Sequence, residues 1–105
     1  MLADQTAKAD ASKPIPSLLP WRGLIPVIRV LEFGAKKYAA HSWAGVDASR
    51  YVEALLRHCI EFGDRYPKEG LLQRDHESNL LVLAHIACNT LFLLAHPCHT
   101  AKEIE

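Results

Sequence analysis

At 105 residues, with 50% apolar and 23% charged residues, the chain has the composition of one small folded domain rather than a disordered segment. Its 12 basic and 12 acidic residues cancel, so it lacks the basic surplus that draws proteins onto nucleic-acid polymers or membrane surfaces. Cys59, Cys88 and Cys98 cannot all pair within one chain and none forms a CxxC, so they read as free thiols, with Cys59 and Cys88 in apolar helical patterns, in a reducing cytosol.

Residues 1–13 are Ala-, Asp-, Lys- and Ser-rich without periodicity and read as a flexible arm that is not a secretion signal. Pro14, Pro16 and Pro20 should hold 13–20 extended, with Leu18, Leu19 and Trp21 pinning it to the core. A first helix should begin at 21 or 24 and run to 39. Leu24, Ile28, Leu31, Ala35 and Tyr38 form its apolar stripe, and Pro26 lies in its first turn or kinks it. Gly34 in mid-helix costs about 1 kcal/mol relative to Ala. It therefore suggests close approach by another backbone or a ligand.

Residues 38–46 read as a loop, in which Trp43 is either a lid over the core or a stacking surface for a planar ligand. A second helix should start at Asp47 or Ser49, both good caps, and run to about 62. Its core face is Val52, Leu55, Leu56, Cys59 and Ile60; Tyr51, Ala54, His58 and Glu61 share a neighbouring face. The breakers Gly63, Pro67 and Gly70 mark 63–75 as a long connection. A third helix should run from 77 or 78 to 95, stopped by Pro97 and followed by a frayed 98–105. It is apolar almost all round and so central, yet too short and interrupted for the ~20 residues of a membrane span. The fold expected is all-α: a small antiparallel bundle of three main helices over 14–97.

Three polar clusters punctuate this apolar pattern. Glu32 and Lys36 stand four apart on the first helix, His58 and Glu61 three apart on the second. Asp75, Glu77 and Ser78 lie at the entrance to the third, with His85 and Asn89 within it. Each has a plain reading: an i,i+4 ion pair, a helix cap, a satisfied core histidine, an interhelical hydrogen bond. Together they suit a bundle whose inward carboxylates hold Mg²⁺ or Mn²⁺ against substrate phosphates, with lysine and arginine neutralising the remaining charge.

The chain resembles a known family. The resemblance runs through Lys13-Pro14 and Leu18-Leu19-Pro20, then Val30-Leu31-Glu32-Phe33-Gly34-Ala35-Lys36-Lys37-Tyr38 and Trp43. It continues through Arg50-Tyr51, Ala54-Leu55-Leu56-Arg57-His58, Asp75-x-Glu77-Ser78, Leu83-Ala84-His85 and Asn89-x-Leu91-Phe92-Leu93-Leu94. These blocks are similar to the dATP/dGTP diphosphohydrolases of phages and bacteria, relatives of the MazG-like all-α pyrophosphohydrolases. The resemblance implies Mg²⁺- or Mn²⁺-dependent cleavage of a purine deoxynucleoside triphosphate to monophosphate and pyrophosphate, with two or three ions per site. It also implies a homodimer or homotetramer in the cytoplasm of a bacterium, including a phage-infected host. Carried over by residue, it makes Glu32, Glu61, Asp75 and Glu77 metal ligands. Glu32 and His58 become catalytic groups, Lys36, Lys37 and Arg57 triphosphate contacts, and Trp43, His85 and Asn89 contacts near the base or the site. One departure stands out: where members commonly carry Gly-Leu-Pro-His after the Glu-Ser pair, this chain has Asn79-Leu80-Leu81-Val82.

Two rival readings use the same residues. His58, Asp75, His76 and His85 supply the residue types of a His/Asp metal phosphohydrolase releasing triphosphate, but the order Asp75-His76 reverses that class's dipeptide. The other rival is a helical oligomerisation module in which the polar stripe gives only packing specificity.

Overall fold

A computed structural model describes residues 11–105 of the chain, so most of the expected arm lies outside the described residues. Three α-helices make the fold: α1 Leu24–Lys37, α2 Ala48–Glu69 and α3 Val82–Ala95, with no strand among the described residues. The all-α expectation holds. No helix among them is long and apolar enough to cross a membrane. α3 is central, packing against α2 most extensively and against α1 on another side. Tyr51 meets Phe92 at 5.0 Å between ring centroids and His58 meets His85 at the same separation. The start of α2 thus faces the end of α3, which makes the pair antiparallel.

Residues 13–20 are not simply extended. Pro16–Leu18 and Trp21–Gly23 form single 3₁₀ turns, the second leading into α1. Leu18 and Trp21 are 79% and 57% exposed, so this segment is not pinned to the core of the single chain. Pro26 falls in the first turn of α1, where its missing N–H costs nothing.

The buried apolar side chains among the described residues are Val27, Val30, Val82, Ala84 and Cys88, a small core. Val27 and Val30 pack on Ala84 and Cys88, with Leu80, Leu81, Ala87 and Phe92 around them. This corrects the expected faces. In α1 the stripe Ile28, Leu31 and Tyr38 faces outward, while Val27 and Val30, one step round the helix, face in. In α2 Val52, Leu56, Cys59 and Ile60 are exposed, with Ile60 at 72%, and Tyr51, His58, Glu61 and Phe62 are half-buried instead. Both helices carry more than one apolar stripe, and periodicity ranks stripes without saying which one docks. Tyr51, His58 and Glu61 find polar or aromatic partners inward.

α2 also runs seven residues past its expected end. Pro67 removes one i→i−4 bond near the C-terminus, but Arg65 clamps the last two turns from their flank. Its Nε and Nη2 donate to Glu69 at 2.8 Å and its Nη1 lies 3.3 Å from Glu61. Gly70, at φ 72°, ends the helix by donating its N–H to Tyr66 O. The expected connection 63–75 therefore shrinks to the residues after Gly70, and Leu71 and Leu72 form a turn rather than helix.

α3 starts later than its apparent caps. Asp75 Oδ2 accepts the N–H groups of Glu77 and Ser78 and the Ser78 hydroxyl, closing a local turn instead of a helix end. Asn79 takes φ 59°, a left-handed conformation that Asn tolerates better than most residues. A short antiparallel bridge between Arg74 and Leu81 then delivers the chain to α3. Val82 is fully buried at its first turn.

An ideal Cβ built on Gly34 meets nothing within 4 Å, so no close approach within this chain requires that glycine. Cys88 is buried as expected, and burial raises its thiol pKa to about 11; Cys59 and Cys98 are exposed. The segment after α3 is tied by turns: Thr100 and Glu103 exchange backbone-to-side-chain bonds, and the His99 ring meets Leu93 O at 2.9 Å.

Candidate metal centre

The inward polar face of α2 and the Asp75 turn meet beside the first turn of α3. There His58, Glu61 and Asp75 each offer one ligand atom, all within 4.8 Å of one another and all half-buried. Each comes from a local cause. His58 and Glu61 stand at i,i+3 on one helical face, and Asp75 is fixed because its Oδ2 closes the 75–78 turn.

Around the three ligand atoms lies a second layer. The His85 ring stacks on His58 at 5.0 Å with an interplanar angle of 22°. His85 Nε2 is 2.7 Å from Ser78 Oγ and 4.0 Å from Asp75 Oδ2. Ser78 thus links the histidine to the carboxylate.

Electrostatics fit these roles. Burial pushes the Asp75 carboxyl up, but Ser78's backbone and hydroxyl bonds, aided by His85 and His58, bring it below its ordinary value. Burial holds the His85 pKa down despite the attraction of Asp75, so the imidazole is neutral near pH 7. Glu61 Oε2 is a buried carboxylate oxygen ion-paired with Arg65 Nη1 at 3.3 Å, with no hydrogen bond formed by either atom.

This set fits a divalent cation: two carboxylates and an imidazole converge within 4.8 Å, and Glu61 Oε2 makes no hydrogen bond beside its ion pair with Arg65. Oxygen donors suit Mg²⁺ and Mn²⁺, and an imidazole nitrogen favours the softer transition ions over Mg²⁺.

The remaining expected residues lie elsewhere or have other partners. Glu77 is ion-paired with Lys37, linking the end of α1 to the Asp75 turn, and is 63% exposed. That contact holds the Lys37 ammonium above its usual pKa. Glu32 is half-exposed on α1 and paired with Arg29 at 2.9 Å, not with Lys36. Lys36 is exposed on the same helix. Arg57 lines a shallow groove with Ser49, Arg50 and Glu53, apart from the three ligands. Asn89 is buried, and its amide donates to His85 O at 3.0 Å within α3, not across to another helix as the plain reading expected. Trp43 stacks on Phe92 at 4.9 Å, and its carbonyl accepts the Tyr51 hydroxyl, the arrangement expected of a lid over the core. The His96 ring lies 2.8 Å from Val46 O and ties the far end of α3 to that lid.

Three contributors escaped the sequence. Arg65 and Gln73 fell in a segment read as loop, although Glu61, Arg65 and Glu69 at successive i,i+4 spacings are a helical signal. Gln73 is 3% exposed, and its amide donates to Phe62 O and Gly70 O, fastening the connection to α2. Ser78 was read as a cap, whereas it bridges Asp75 and His85.

Comparison with known proteins agrees with the sequence resemblance. The family described as dATP/dGTP diphosphohydrolase, N-terminal, matches residues 3–104. A Salmonella phage PMBT28 protein named dATP/dGTP diphosphohydrolase is 33% identical over 86 residues, covering 82% of this chain and 28% of that protein. The chain therefore spans well under half the length of that relative. No solved structure matches the chain. With nearly its whole length matched, the chain belongs to the dATP/dGTP diphosphohydrolase N-terminal family.

Proposed function

We propose that the chain is a metal-dependent nucleotide pyrophosphohydrolase, cleaving purine deoxynucleoside triphosphates to monophosphate and pyrophosphate in the bacterial cytoplasm. The observation that carries this reading is the convergence of His58, Glu61 and Asp75 within 4.8 Å. The name of the phage relative supports the substrate class.

His58, Glu61 and Asp75 hold the ion, Mg²⁺ or Mn²⁺. When bound, such an ion supplies a water nucleophile near neutral pH and withdraws charge from phosphoryl oxygens. The chain's own groups do the rest. Ser78 and the neutral His85 fix Asp75 in one orientation. Where only the two carboxylates hold the ion, His58 is the group placed to take the proton from the attacking water. Lys36 and Lys37, next to Glu77 at the end of α1, face the phosphate chain.

Glu32 enters such a site through assembly. It lies beside Leu31 and four residues after Ile28, both on the exposed apolar face of α1. Together with Val52, Leu56 and Ile60 of α2, that face leaves far more apolar surface outside than inside, as expected of a protomer of a homodimer or homotetramer. Glu32 and a second or third ion would then lie near a subunit boundary.

The test is product analysis. With Mn²⁺ and dATP or dGTP, the chain should release pyrophosphate, and Glu61→Gln should abolish release while the helical circular dichroism persists. Triphosphate as product would favour the His/Asp-type rival. Full activity of Glu61→Gln would overturn the proposed site.

A further inference from the structure

An open cleft of about 520 Å³ adjoins the ligand cluster at Asp75, lined by Arg65, Glu69, Gln73, Arg74, Asp75 and His76 among others. Asp75 is common to both, so the cleft begins where the ligand cluster ends. Its cations come from the segment 65–76, not from α1 or from Arg57.

These cations are held in place. Arg65 is 14% exposed, bonded through Nε and Nη2 to Glu69 and through Nη2 to Arg74 O at 2.7 Å. Arg74 Nη1 donates to Asn79 O at 2.9 Å, which anchors one edge of its guanidinium at the cleft wall. His76 is exposed at the rim of the cleft. A planar guanidinium with one edge tied and another open is the geometry that receives a phosphate oxygen pair.

We infer that this cleft seats the pyrophosphate portion of the substrate, with Arg74 and His76 as direct contacts and Arg65 positioning the cleft wall against Glu61. The inference rests on the metal-site reading above. It adds a seat for the leaving phosphates beside Asp75, on residues that no sequence motif picks out.

The discriminating variant is Arg74→Gln, because Arg65 bonds the main-chain carbonyl of residue 74 and not its side chain. Inorganic pyrophosphate is titrated into the Mn²⁺-loaded chain by calorimetry, and Mn²⁺ affinity is measured separately without pyrophosphate. Losing a charge-assisted contact should weaken pyrophosphate binding about ten- to a hundredfold. Mn²⁺ affinity should stay within twofold, and Lys102→Gln, far along the chain in an exposed turn, should change neither. Unchanged pyrophosphate affinity in Arg74→Gln, with Mn²⁺ binding intact, would overturn the cleft assignment alone. So would a parallel loss of Mn²⁺ affinity, which marks Arg74 as merely structural. Absence of Mn²⁺ binding by the unaltered chain would sink the metal reading and this inference with it.

Discussion

Asp75→Asn separates the two tasks of Asp75, closing a turn and holding a cation. The amide oxygen of Asn can still accept the N–H groups of Glu77 and Ser78, now bonded to Asp75 Oδ2 at 3.1 and 2.9 Å. Exchanging charge-assisted for neutral bonds should cost about 1 kcal/mol in the metal-free protein. The effect on the metal should be larger. An ion present at a hundred times its Kd stabilises the native state by about 2.7 kcal/mol. For a domain near this size each kcal/mol moves Tm by roughly 4–8 °C, so Mn²⁺ should raise Tm by roughly 10–20 °C. In Asp75→Asn most of that rise should vanish, with the metal-free Tm only several degrees lower. The assay is thermal unfolding followed by circular dichroism at one fixed protein concentration, with and without Mn²⁺. A full Mn²⁺ shift in Asp75→Asn would refute the assignment of Asp75 to the metal.

Other outcomes follow from the same contacts. The folded-state pKa of Asp75 lies below its unfolded value of about 3.9. Its contribution is therefore complete above about pH 4 and is lost as pH falls through the folded pKa. The stability gap between the native chain and Asp75→Asn, read by urea unfolding, should close as pH falls below about 4. Leu56→Glu with Ile60→Glu places charge on the exposed stripe of α2; it should lower the particle mass in sedimentation without loss of helix, and an unchanged mass would exclude that stripe from the interface. Gly34→Ala adds a Cβ where nothing lies within 4 Å, so it should raise the unfolding free energy by about 0.5–1 kcal/mol. Destabilisation there would mean that a neighbouring subunit approaches Gly34.

The sequence by itself determined the helical class, the order of the helices, the central place of α3 and the family. Those follow from local signals: apolar spacing, the cap candidates Asp47 and Ser49, Pro26 near the start of α1, and ordered blocks of matching residues. It also singled out His58, Glu61 and Asp75, though among eight others. Tertiary structure decided the faces. Val27 and Val30 rather than Ile28 and Leu31 turn inward, because several stripes of α1 are apolar and docking alone chooses between them. It likewise decided that Pro67 would not end α2, since the Glu61–Arg65–Glu69 ladder outweighs one missing bond. Above all it brought Asp75 across to α2: a contact between residues far apart in sequence has no local signature, and its geometry exists only once the turn at Asp75 has closed and α3 has packed.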